Sequence, residues 1–83
     1  MRYTVLWLPA AEAALANLWL RASDQQAVAD AANRIDRALA MDPDAKGKSV
    51  GKFFVREDTP LAVLYHVNEG DRMVRVIAVK RTT

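Results

Sequence analysis

The last third of the chain constrains the fold most strongly, because it holds three short runs rich in aromatic and β-branched residues. These runs cover residues 53–56, 61–67 and 73–79, and polar turns at residues 57–60 and 68–71 separate them. Runs of this kind with turn residues between them predict a meander of three antiparallel strands. The second turn, Asn68-Glu69-Gly70-Asp71, contains residues that tolerate the positive φ angles of tight hairpins.

The first half of the chain predicts one strand followed by two helices. Residues 2–8 form a short apolar run, and Pro9 follows it, where a helix accepts proline at its first position. A stretch rich in alanine and leucine continues to residue 21. A second amphipathic stretch starts at Ser23, and Asp42-Pro43 ends it because the residue before proline is driven out of the helical region.

The order β-α-α-β-β-β predicts a two-layer α+β fold, with residues 1–83 forming a single domain. The short connection makes the two helices an antiparallel hairpin, which packs on one face of a small antiparallel sheet. The helical hairpin returns the chain to the end of the sheet where the first strand finished, so the strand at residues 53–56 is expected to run antiparallel to the first. The other sheet face is expected to stay open. Three aromatic side chains are expected in the core: Trp7, Trp19 and Tyr65.

Several functional classes are excluded by residues that the chain lacks. It has no cysteine, which excludes a disulfide framework and a thiolate nucleophile, and its single histidine, His66, argues against a zinc site. No apolar run approaches the roughly 20 residues that span a bilayer, and the N-terminus lacks the features of a signal peptide. We therefore expect a soluble cytoplasmic domain that uses no metal or other cofactor.

The two halves of the chain differ in charge. Residues 1–44 hold four basic and six acidic side chains, whereas residues 45–83 hold eight basic and four acidic ones. A basic half indicates a polyanionic partner, and an acidic half indicates a second partner of another kind. Charged residues also keep the rim of a small domain solvated, and the charge pattern alone leaves both interpretations open.

Ordered short motifs along essentially the whole chain resemble the RelE/ParE superfamily of type II toxin–antitoxin toxins. The motifs are Tyr3-x-Val5-x-Trp7-x-Pro9, then Ile35-Asp36-x-x-Leu39-x-x-Asp42-Pro43, and finally Leu61-Ala62-Val63-Leu64-Tyr65-His66-Val67 with Asp71-Arg72-x-Val74-x-Val76-Ile77-x-Val79-x-Arg81. The resemblance implies the fold described above, a cognate antitoxin and one of two targets. RelE-type members cleave mRNA in the ribosome, and ParE-type members poison DNA gyrase.

The leading functional expectation is a toxin that inhibits translation by ribosome-dependent mRNA cleavage. The alternatives are a ParE-like gyrase inhibitor without catalysis and a catalytically inactive binding module of the same fold. The chain departs from RelE-type sequences at Ala62, where they commonly carry arginine, and this departure favours the alternatives. An antitoxin is expected to cover the groove of the helical hairpin or the basic sheet face, unless a homodimer uses the same apolar surface.

Strand alternation predicts which side chains would act on RNA. We expect Lys52, Arg56, His66 and Lys80 on the open sheet face, with Arg81 at a strand end that both sides can reach. In cleavage by the RNA 2′-hydroxyl, His66 would act as acid or base. The predicted phosphate-binding residues of the catalytic site are Arg56, Lys80 and Arg81. The predicted contacts to the RNA backbone are Lys46, Lys48 and Lys52. For each of these residues, an ordinary surface role is the alternative.

Overall fold

The computed structural model describes residues 2–43 and 48–83. Its elements are β1 (Thr4–Trp7), α1 (Pro9–Arg21), α2 (Gln25–Met41), β2 (Lys48–Val50), β3 (Phe53–Asp58), β4 (Leu61–Asn68) and β5 (Met73–Arg81). Pro9 is the first residue of α1, as predicted, and α2 ends immediately before Asp42. The two-layer α+β fold is confirmed: both helices pack on one face of a five-stranded sheet.

The sheet is mixed, with strand order β1-β5-β4-β3-β2. Strands β2 to β5 pair antiparallel with their neighbours, whereas β1 pairs in parallel with β5. The prediction of an all-antiparallel sheet was therefore wrong at β1. The cause of this error is β2, a strand that was not predicted between the second helix and residue 53. This strand reverses the chain through a two-residue turn, in which Gly51 supplies the positive φ of 61°, so β3 runs in the same direction as β1.

The core lies between α2 and the central strands β4 and β5. Helix α2 contributes a buried stripe at helical spacing, and α1 contributes Ala11. Tyr65 is fully buried, as predicted, and Trp7 packs partly buried against the core. The expectation for Trp19 was wrong, because 42% of this residue is exposed. The buried side chains of the α2 stripe and the two strands are Val28, Ala31, Ile35, Leu39, Leu61, Val63, Tyr65, Val74, Val76 and Val79.

Strand register decides which side chains face the helices. Tyr65 and Val63 are buried against the helices, and their partners on β3 are Phe54 and Arg56. Direct cross-strand partners share a face, so Arg56 lies on the helix side, and the prediction that it lies on the open face was wrong. Phe53 and Val55 occupy the alternate positions of β3 and lie on the open face. The error arose because β3 carries bulky apolar residues at both parities.

A second correction concerns β5. A register shift between Leu64 and Tyr65 changes the alternation, so that Val76 pairs with buried Tyr65 and lies on the helix side. Regular alternation from Lys80 would instead put Val76 on the open face. Within residues 2–43 and 48–83, neither helix has the length and apolar character needed to cross a membrane.

Candidate functional site

The sheet face away from the helices, here called the open face, carries the candidate functional residues. Register assigns residues to this face from all five strands. It carries both apolar and charged side chains: Lys80 lies towards one end of the strands, Lys48 lies midway, and His66 and Arg75 lie towards the other end. Its main members are Leu6, Lys48, Val50, Phe53, Val55, Glu57, Ala62, Leu64, His66, Arg75, Ala78 and Lys80.

His66 lies on the central strand of the open face, as predicted. Its ring contacts the ring of Phe53 edge-to-face, with 6.0 Å between the ring centroids and 66° between the ring planes. On the other side, Arg75 is its direct partner on β5. Side chains at such positions have Cβ atoms about 4.5–5.5 Å apart. Phe53, His66 and Arg75 therefore form a row across three neighbouring strands, which we call the central row.

Lys80 also lies on the open face, but away from the central row. Its partner on β4 is Ala62, which pairs on its other side with Glu57. Ala62 and His66 are four residues apart on β4, about 13 Å at the strand rise of about 3.3 Å per residue. Lys80 is thus at the far end of the face, with Ala62 between it and Glu57. Lys48, the partner of Val55, lies between the two regions.

Arg56 and Arg81 lie on the helix side. The Nε atom of Arg56 is buried and has no hydrogen-bond partner within the described part of the chain. Arg81 pairs with Leu61 on the sheet, and its guanidinium donates a hydrogen bond of 2.7 Å to Asp24 just before α2. This hydrogen bond raises the pKa of Arg81 and holds the pKa of Asp24 below its usual range. The structure therefore does not bring these two arginines together with His66.

The other predicted RNA contacts are scattered. Lys52 lies exposed in the turn between β2 and β3, outside either strand. Lys48 is exposed on the edge strand β2. Lys46 lies outside the described residues. Only Lys48 of this group is assigned to the open face by strand register.

Sequence reasoning missed Arg75 and Phe53 as neighbours of His66. The signal for Arg75 was the turn: Asn68 pairs with Met73, and two further steps along each strand bring His66 opposite Arg75. Counting outward from that turn would have found the pair. Phe53 had no such signal, because its side depends on the Asp58–Leu61 pairing at the other hairpin.

A second concave surface lies between the helices. This interhelical groove has a volume of about 610 Å³, and its lining is mainly apolar. Two acidic residues, Glu12 and Asp36, also line it, and Asp36 accepts a hydrogen bond of 3.1 Å from the indole of Trp7. Its main apolar side chains are Trp7, Leu15, Trp19, Val28 and Ala32.

Comparison with solved structures identifies the fold. The chain superposes on the RelBE2 toxin–antitoxin complex of Mycobacterium tuberculosis with a TM-score of 0.83, covering 98% of this chain and 92% of that chain at 19% identity. The chain has a RelE-like toxin fold. The intact Escherichia coli RelBE complex matches with a TM-score of 0.64 at 14% identity, covering 98% of both chains. The isolated E. coli RelE toxin matches with a TM-score of 0.63 at 16% identity, over 98% of this chain and 85% of that one.

No family model matches the sequence, and no curated protein does. The RelE-like fold is therefore recognised through backbone geometry, at sequence identities of 14–19%. Identities this low carry the fold and not the function. The open face and the interhelical groove must supply the functional argument from their own residues.

Proposed function

We propose that this chain is the toxin of a type II toxin–antitoxin pair and inhibits translation by cleaving mRNA on the ribosome. The observation that carries the proposal is the position of His66 on the central strand of the uncovered sheet face of a RelE-like fold, directly opposite Arg75. An imidazole can donate or accept a proton, and the neighbouring cation can bind the phosphate on which charge develops.

The proposed chemistry uses the RNA as its own nucleophile. His66 accepts the proton of a ribose 2′-hydroxyl, whose oxygen then attacks the adjacent phosphorus. The bond from phosphorus to the 5′-oxygen breaks and a cyclic phosphate remains. The 5′-oxygen takes a proton from a water molecule, and His66 returns the proton it accepted to solvent, so that the step balances. Arg75 binds the phosphate oxygens while negative charge develops on them. Lys48 and Lys80, farther along the open face, contact the RNA backbone.

Of the four side chains first predicted for catalysis, this proposal retains His66 and Lys80. Arg56 and Arg81 lie behind the sheet relative to His66, and we assign them no contact with the reacting phosphate. Arg75 takes the phosphate-binding role that the sequence analysis gave to those two arginines. The proposed target is reached in the cytoplasm, where ribosomes and mRNA meet.

A second candidate function is ParE-like inhibition of DNA gyrase without catalysis. The observation that favours it is the apolar content of the open face, where Leu6, Val50 and Phe53 are all exposed large hydrophobics. Exposed apolar side chains on an uncovered sheet face can bind a protein partner as well as a nucleic acid. A catalytically inactive binding module of the same fold would use the same residues.

Inducible expression in cells, with paired readouts of mRNA integrity and plasmid supercoiling, tests the proposal. RNA cleavage predicts growth arrest with fragmented transcripts and unchanged supercoiling. Growth arrest with intact transcripts and gyrase-dependent DNA breaks would replace our proposal with the gyrase candidate. Neither effect, with stable binding to a partner, would support the inactive module.

The proposed antitoxin uses both concave and charged surfaces of the toxin. An apolar helix of the antitoxin occupies the interhelical groove, where Trp19 is exposed, and an acidic segment covers Arg75 and Lys48 on the open face. Light scattering of the chain alone and with the product of its neighbouring gene tests this. A tight homodimer that ignores that product would contradict it.

A further inference from the structure

We propose that the central row is a nucleotide subsite for single-stranded RNA, in which Phe53 stacks on a base and Arg75 binds the adjoining phosphate. His66, between them, then faces the ribose. This inference rests on the proposed function, which already gives Arg75 a phosphate, and adds to it a base-stacking role for Phe53 and a position for the ribose. Its basis is the order of three side chains on three adjacent strands: aromatic ring, imidazole and guanidinium.

Phe53 has the position that a stacking residue needs. It is the first residue of β3, beside the tight turn at residues 51–52, and 36% of it is exposed on a sheet face that no helix covers. Its only ring contact among the described residues is the edge-to-face one with His66. Base stacking on such exposed aromatic side chains is common in proteins that bind single strands, and it tolerates any base.

Arg75 has the position that a phosphate-binding residue needs. It is partly exposed and lies opposite His66. Within residues 2–43 and 48–83, the arginines in ion pairs are Arg34 and Arg81, so no described carboxylate neutralises Arg75. A planar guanidinium with free donors matches two phosphate oxygens at once.

The dimensions of the row fit one nucleotide. Neighbouring strands are about 4.8 Å apart, so Phe53 and Arg75 on the two strands that flank β4 are separated by about 10 Å. A base at one end and its phosphate at the other place the ribose over His66. Lys48 on the same face extends the positive charge beyond the subsite, in the direction of the β2 edge.

The test uses a short single-stranded oligoribonucleotide in which every ribose carries a 2′-O-methyl group, so that no 2′-hydroxyl can attack. Binding is measured by fluorescence anisotropy over a salt series. Phe53→Leu is expected to weaken binding about 5- to 150-fold, since one stacked base is lost, whereas Phe53→Trp retains it. Arg75→Gln is expected to reduce the slope of log affinity against log salt by about 0.7, the value for one phosphate contact on a single strand.

Two variants away from the row are matched controls. Arg37→Gln removes an exposed arginine from α2, and Leu20→Ala removes an exposed apolar side chain from α1. Both should bind the oligonucleotide as the unmodified chain does. The ring protons of His66, the only histidine, give a direct NMR reporter of occupancy that needs no variant. Their resonances should shift when the oligonucleotide is added.

Failure of the subsite can be distinguished from failure of the proposed function. Unchanged affinity and salt slope in Phe53→Leu and Arg75→Gln would overturn the subsite even if mRNA is cleaved. Loss of binding in both variants with intact mRNA in cells would leave the subsite standing and remove the cleavage proposal. No shift of the His66 resonances with RNA, but a shift with an acidic peptide, would overturn the subsite in favour of a protein-binding face.

Discussion

The hydroxyl of Tyr65, on β4, donates a hydrogen bond of 2.5 Å to the backbone carbonyl of Pro43, just beyond the end of α2. Both side chains are fully buried, and the ring of Phe54 stacks on that of Tyr65 at 5.6 Å. This contact ties the exit of the second helix to the centre of the sheet. It thereby fixes α2 above the strand that carries His66 on its other face.

Tyr65→Phe should lower the free energy of unfolding by about 1–3 kcal/mol, because a buried carbonyl loses its donor while the ring stays in place. Urea denaturation measures the change. Tyr3→Phe is the matched control, since its hydroxyl donates to Glu69 at an exposed position where water can replace it. Equal losses in the two variants would contradict the role given to the Pro43 contact.

The Asp24–Arg81 pair should make stability depend on acid pH. The hydrogen bond from Arg81 holds the pKa of Asp24 below its ordinary value of 3.8, so the ionised carboxylate favours the folded state. This contribution is present above pH 3.8 and is lost as pH falls through the lowered folded value. Thermal unfolding should therefore show a higher Tm for the unmodified chain than for Asp24→Asn at pH 6, and this difference should shrink as the pH falls to 2.

Arg81→Met provides the control for that pair. Removing the guanidinium removes the cause of the lowered pKa, so Asp24→Asn should add little to Arg81→Met at any pH. If Asp24→Asn lowers stability as much in the Arg81→Met background as in the unmodified chain, Asp24 acts through a different partner.

Ile35→Ala should cost about 2–5 kcal/mol of unfolding free energy, because the side chain is fully buried in the middle of the α2 stripe. Leu20→Ala, on the exposed side of α1 with 67% of the residue exposed, should change stability by no more than about 0.5 kcal/mol. Chemical denaturation of both variants measures the difference. Similar values would contradict the placement of the core.

Trp19→Ser should weaken antitoxin binding at least about tenfold while leaving the fold intact, because a partly exposed tryptophan in an apolar groove is a typical anchor for a partner helix. Val50→Thr, on the open face with 54% of the residue exposed, is the control for an apolar residue outside the groove. Isothermal titration calorimetry with the purified antitoxin measures both. A larger loss of antitoxin affinity in Val50→Thr than in Trp19→Ser would show that the antitoxin helix binds the sheet and not the groove.

The fold could be predicted from the sequence where the spacing of the apolar residues fits only one arrangement. In α2, the helical spacing of Val28, Ile35 and Leu39 left one apolar stripe, and all three residues are buried. Pro9 identified the start of α1 because proline is favoured only in the first helical turn. Local rules were sufficient at these positions.

The site was less predictable, because the sheet face on which each candidate residue lies depends on strand pairing between residues that are distant in sequence. Arg56 was placed on the wrong face because β3 carries Phe53 and Phe54 at opposite parities, and only the partners on β4 decide between them. The register shift next to Tyr65 changed the side of Val76 and has no marker in the sequence. Strand β2 was missed because Lys-Ser-Val is too short and polar to stand out from a loop.

Cleavage of mRNA by the purified chain in a reconstituted translation reaction, with fragment ends mapped by primer extension, decides whether the open face is a ribonuclease site. We expect ribosome-dependent cuts, a loss of rate of about 10²–10⁴-fold in His66→Gln, and no loss in Arg37→Gln. Intact mRNA on translating ribosomes, or equal cleavage by the His66→Gln variant, would contradict the proposal.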